Sequence, residues 1–137
     1  MSLNYLDHVN IRTARLPEMT AFYGEVLGLR EGPRPPFEIG GAWLYCGQRA
    51  AVHLVEVSRR PRAEEPAIEH FAFRATGLRA FLDRLVARAI NHEISVVPEW
   101  ELRQVFLRDP DGNHIEVTFA AGEAWEEPAV GPTRPGR

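Results

Sequence analysis

Two histidines and a glutamate stand where they could hold a metal ion together. His8 lies in "LDHVNIRTARL", Leu6 to Leu16, and His70 lies sixty-two residues later in "IEHFAFRATGL", Ile68 to Leu78. The segments share His8/His70, Arg12/Arg74 and Leu16/Leu78, with Leu6/Ile68 and Asp7/Glu69 as near-synonyms. Glu116 follows in "HIEVTF". Side chains alternate between the two faces of a strand. Val9 and Ile11, Phe71 and Phe73, and Ile115, Val117 and Phe119 form the apolar faces, so His8, His70 and Glu116 share the side of the sheet away from the core. Two neutral imidazoles and an ionised carboxylate on rigid elements are the ligand set of a facial triad. Such a set suits Fe2+ and Mn2+, with Ni2+ and Zn2+ as further possibilities, and keeps positions open for substrate. The same residues also fit a plainer arrangement, in which both histidines bond backbone at a sheet edge and Glu116 is solvated.

The elements that would position these residues occur twice. After the first histidine segment comes "PEMTAFYGEVLGL", where Pro17 opens a helix, Met19, Phe22, Tyr23, Val26 and Leu27 form its apolar stripe, and Gly28 stops it. After the second comes "RAFLDRLVARAIN", with Thr76 as the expected cap, Leu78, Phe81, Leu82, Leu85, Val86, Ala89 and Ile90 at helical spacing, and Asn91 as the stop. Short strands are predicted near Arg34–Ile39, Ala42–Cys46 and Ala51–Val57 in the first copy, and near Glu93–Val97, Gln104–Arg108 and His114–Phe119 in the second. Turns at Gly47-Gln48-Arg49 and Asp109-Pro110-Asp111-Gly112 punctuate them. Each copy therefore spells β-α-β-β-β. One α+β domain is expected over residues 1–119, with module one at about 4–57, a polar, Pro-containing linker at 58–67 and module two at about 68–119. Residues 120–137 read as an irregular tail onto which Trp125 could dock.

Composition removes several kinds of chemistry. All 16 basic residues are Arg, so Schiff-base chemistry and a Walker-type phosphate loop are excluded. Serine stands only at positions 2, 58 and 95, with no Gly-x-Ser-x-Gly, which argues against a serine hydrolase. The single Cys46 allows neither an internal disulfide nor a cysteine-only metal site. A net charge of −3 gives no nucleic-acid surface, and the Arg59, Arg60, Arg62 cluster is balanced at once by Glu64 and Glu65. No apolar run is long enough to span a membrane and no leader pattern precedes the first module, so no membrane partner and cytoplasmic residence are expected.

With "DHVNIRT", "FYGEVLGL", "EHFAFRA" and above all "FLRDPDGNHIEV", the chain resembles the vicinal oxygen chelate superfamily over about residues 5 to 119. That group includes glyoxalase I, extradiol dioxygenases, methylmalonyl-CoA epimerase, fosfomycin-resistance enzymes and bleomycin-binding proteins. The resemblance implies two repeated βαβββ modules forming an eight-stranded open-barrel cleft with the helices outside. By position it also implies a divalent metal held by His8, His70 and Glu116. Aligning Val52 with Ile115 puts His53, rather than Glu56, at the repeat equivalent of Glu116, where glyoxalase I-like members carry a carboxylate. His53 is accordingly the candidate catalytic acid–base group. Asn10, Trp43, Tyr45, Gln104 and Phe106 are candidate pocket residues, since the family lines its cleft from these strands.

The expected function is that of a metal-dependent enzyme chelating two oxygens of a small organic substrate, leaning to dioxygenase chemistry because of His53. A glyoxalase-like lyase or epimerase is the alternative within the superfamily. A metal-free, bleomycin-resistance-type drug-binding protein is the alternative of another class. A homodimer is expected from the resemblance and from how little two small modules bury alone.

Overall fold

The computed structural model describes residues 1–62, 64–120, 122 and 123. Trp125 and the rest of the tail lie outside the described residues. The chain runs β1 (Val9–Thr13), α1 (Leu16–Glu25), β2 (Arg30–Gly32), β3 (Gly41–Cys46), β4 (Arg49–Glu56), β5 (Phe71–Ala75), α2 (Leu78–Ala87), β6 (His92–Val97), β7 (Leu102–Arg108) and β8 (His114–Phe119). The strands form two mixed sheets of identical topology, β1-β4-β3-β2 and β5-β8-β7-β6, in each of which the edge strand β1 or β5 pairs in parallel and the other neighbours are antiparallel. The two βαβββ modules expected from the repeat are thus present, and the two sheets do not close on one another. No helix among the described residues is long and apolar enough to cross a membrane.

Around His53 and Glu116 the register reproduces the repeat. Asn10 pairs with His53 across β1 and β4, and Ala72 pairs with Glu116 across β5 and β8. Trp43 on β3 stands beside His53 as Phe106 on β7 stands beside Glu116. The alternating faces are equally plain: Val52 and Leu54 are wholly buried, as are Ile115 and Phe119, beneath the helices' Met19, Phe22, Tyr23, Leu78, Phe81 and Leu85. One hydrophobic core takes residues from both modules. Burying such side chains contributes about 1.5–3 kcal/mol each, which is the main force holding the sheets under their helices.

The modules are also joined by polar contacts. Buried Tyr23 on α1 donates its hydroxyl to Asp109 Oδ2 at 2.8 Å, in the turn between β7 and β8. Arg15, just before α1, reaches Asp111 at 3.0 Å and the Pro110 carbonyl in the same turn. Arg84 of α2 donates to the Val26 carbonyl at 3.0 Å, and Arg88 pairs with Glu25 at 2.6 Å.

Three local expectations differ from the structure. No strand forms over Arg34–Ile39; the edge strand β2 lies earlier, at Arg30–Gly32. Pro33, Pro35 and Pro36 lack the N–H that a ladder needs, and Phe37 N–H turns back onto the Pro35 carbonyl at 2.8 Å. Thr76 does not cap α2. Gly77 takes that place in the left-handed region at φ 86°, and Glu123 Oε2 accepts from the backbone N–H groups of Gly77 and Leu78 at 2.8 and 2.7 Å. α2 ends at Ala87 rather than at Asn91, through Ala89 at φ 53°.

Candidate metal centre

The second module assembles its half of the site around a buried carboxylate. Glu116 is only 6% exposed, and its Oε1 accepts from Gln104 Nε2 at 2.8 Å and from Thr118 Oγ1 at 2.5 Å. β7 and β8 supply these donors because Gln104 and Thr118 face each other in register, one step along from Phe106 and Glu116. The other oxygen, Oε2, is left facing His70 Nε2 at 3.0 Å. The carboxylate and the imidazole are therefore aimed at each other. Two donors each about 2.1 Å from one ion and at right angles stand about 3.0 Å apart, so this pair fits two adjacent positions of an octahedral divalent cation.

Behind the imidazole, His70 Nδ1 bonds Glu69, and the same carboxylate meets His114 Nδ1 at 2.8 Å. Those hydrogen bonds, from His70 first and then His114, hold the Glu69 carboxyl below its ordinary range. Glu69, His70 and His114 bring ligand atoms within 4.8 Å of one another and make the one such group of three among the described residues. Neither Glu69 nor His114 is among the candidate ligands that strand parity and the repeat single out. The signal was present in the repeated acid before each histidine, Asp7 and Glu69.

The first module builds the corresponding half from rings. His8 precedes β1 and bonds Asp7 Oδ2 through Nδ1 at 2.7 Å, which repeats the His70–Glu69 arrangement. Its ring stacks on His53 at 3.9 Å and 11°, and His53 stacks in turn on Trp43 at 4.1 Å and 12°. His53 is 9% exposed; burial first, then the neighbouring His8, lowers its pKa and favours the neutral ring. An imidazole binds a metal in its own plane at about 2.0–2.1 Å. An ion midway between parallel rings would lie about 2 Å out of both planes, so His8 and His53 as stacked do not both ligate one ion.

Each candidate residue has a definite place. Asn10, Trp43, His8 and His53 line one cavity of about 570 Å³ on the first sheet. Gln104 holds Glu116, and Phe106 meets His70 edge-on at 5.9 Å, on the second sheet. Tyr45 turns toward β2, packs over Gly32 and donates its hydroxyl to the Pro33 carbonyl at 2.6 Å. The structure thus brings His70 to Glu116 and His8 to His53, while the described residues of one chain form no four-residue cluster joining the two pairs.

The comparisons with known proteins agree with this architecture. The model of the Glyoxalase/Bleomycin resistance protein/Dioxygenase superfamily matches residues 5–117. A glyoxalase family protein from Bacillus anthracis superposes with a TM-score of 0.73 at 26% identity, covering 88% of this chain and 98% of its own. A glyoxylase/bleomycin resistance protein/dioxygenase domain from Frankia superposes at 0.71 with 18% identity, covering 87% and 99%. A lactoylglutathione lyase from Agrobacterium tumefaciens superposes at 0.65 with 23% identity, covering 86% and 95%. The last two are similar in fold. No curated protein matches the chain.

Proposed function

The chain belongs to the glyoxalase/bleomycin resistance protein/dioxygenase superfamily, and from that premise we propose that it is a metal-dependent enzyme acting on a small substrate through two neighbouring oxygens. The observation that carries this reading is the aimed pair, His70 Nε2 and Glu116 Oε2 at 3.0 Å, with the far carboxylate oxygen already tied down. His70, Glu116 and His8 would hold the divalent ion, Fe2+ or Mn2+ ahead of Ni2+ or Zn2+. Once bound, it supplies Lewis acidity to the substrate's oxygens and, as Fe2+, redox capacity toward dioxygen.

The chain's own residues do the rest. Gln104 and Thr118 fix the carboxylate, and Asp7 and Glu69 orient the two ligand imidazoles through their Nδ1 atoms, as outer carboxylates do for metal-bound histidines. His53, flat against Trp43, presents an imidazole beside the substrate cavity that can take and return a proton at a ring nitrogen. This imidazole in place of a carboxylate favours dioxygenase chemistry over a glyoxalase-like lyase or an epimerase.

We further propose a homodimer in which the His8 side of one chain meets the His70 and Glu116 side of a second copy. The separate pairing of His8 with His53 and of His70 with Glu116 supports this exchange. The stacked rings and aromatic cavity also favour a second reading, a metal-free drug-binding protein. Metal analysis of protein purified without chelator or nickel resin separates the two: close to one divalent ion per chain supports the enzyme, and none supports the binder.

A further inference from the structure

The cavity beside His8 and His53 carries two arginines that the metal reading does not use. Arg34 and Arg49 both line it, and among the described residues neither forms an ion pair. Each is held by an aromatic ring instead. The Arg34 guanidinium lies 5.0 Å from the Phe37 ring centroid and donates from Nη2 to the Ile39 carbonyl at 2.7 Å. The Arg49 guanidinium lies 3.9 Å from the centroid of Tyr5. A guanidinium anchored through its face keeps in-plane N–H donors for a carboxylate, and the anchoring lowers the entropy lost when one binds. Around Arg34, Pro33, Pro35 and Pro36 stiffen the loop, and glycine at position 41 keeps its guanidinium close to the backbone.

The rest of the wall points to the same ligand. Asp7 is the lone carboxylate lining the cavity, and it is turned onto His8 Nδ1. The cavity is thus cationic in a chain whose net charge is −3. Trp43, Phe37 and Tyr5 give it flat apolar surface, and its volume of about 570 Å³ suits a small organic molecule. We propose that this cavity selects small planar organic anions, with an aromatic or conjugated body against the rings and a carboxylate held by Arg34 and Arg49. The inference rests on the reading above in taking this cavity as the substrate's approach to the metal, and it narrows the substrate class to carboxylates.

Benzoate and benzamide have one shape and differ in charge. Their binding to the metal-free full-length chain, followed by NMR chemical-shift changes, tests the proposal with metal content measured on each preparation. Benzoate is expected to bind about tenfold more tightly than benzamide, the scale of a charge-assisted hydrogen bond over a neutral one. Arg34→Gln and Arg49→Gln should each shrink that ratio while leaving benzamide affinity in place. Equal affinity of the native chain for the two probes, absence of benzoate binding, or variants that weaken both probes alike would overturn it. Lost charge selectivity in a chain that still loads metal would remove this inference alone. Retained selectivity in a chain that takes up no metal would remove the metal reading alone.

Discussion

A carboxylate as buried as Glu116 is costly unless its oxygens are met, and here Gln104 and Thr118 meet one while His70 faces the other. Gln104→Leu removes a donor without touching a ligand. It is expected to weaken metal binding about 10- to 100-fold, the usual effect of losing an outer partner, as read by competition with a coloured chelator. His70→Ala and Glu116→Ala should abolish binding while the circular-dichroism spectrum stays native. His53 makes a different case. It stacks parallel to His8, and if, as proposed, it serves the substrate rather than sharing the ion, His53→Ala should keep metal and lose turnover. Loss of its contacts with Trp43 and His8 adds a stability cost of about 1–3 kcal/mol. Loss of metal in His53→Ala would instead make it a ligand.

Secondary elements carry two stability predictions and most of what could be read in advance. α2 ends through Ala89 at φ 53°, a left-handed position that favours glycine; α1 ends through Gly28 at φ 77°. Ala89→Gly should therefore stabilise the fold by up to about 1 kcal/mol in urea denaturation. Tyr23 of α1 titrates in a buried setting, and desolvation, then the Asp109 charge, raises its phenol far above the ordinary value. The unfolded chain loses that proton near pH 10 while the fold keeps it. Stability from this group is thus intact below pH 10 and falls above it by about 1.4 kcal/mol per pH unit. Tyr23→Phe should cost about 1 kcal/mol at pH 7 and flatten the alkaline decline. The repeat made β1, β5, both helices and the His53–Glu116 equivalence legible, because strand parity and helical spacing are local properties. The position of β2 was not, since three prolines overrode a strand-like pattern. Nor was the α2 cap, which Glu123 supplies from forty-five residues beyond Leu78. The contact of His114 with Glu69 was hidden for a similar reason: it depends on how β5 and β8 lie, not on spacing.

At the scale of the whole molecule, two modules share one core, yet the donors collect in two pairs rather than in one centre. A lone chain thus offers a metal the His70–Glu116 pair with Glu69 and His114 close by, and holds His8 apart in a ring stack. The proposed dimer, in exchanging halves, would resolve this by setting His8 of one copy against His70 and Glu116 of the other. Light scattering should give twice the 15.5 kDa chain mass; a monomer mass at all concentrations would remove the exchange. The most direct measurement mixes His8→Ala and Glu116→Ala chains, each unable to bind metal alone, through unfolding and refolding, and then counts bound ions. The account predicts that metal returns in the mixture, at one ion per mixed dimer, because one of its two sites is intact. A mixture that stays metal-free while native protein treated identically recovers its full complement would contradict a shared centre built from His8, His70 and Glu116.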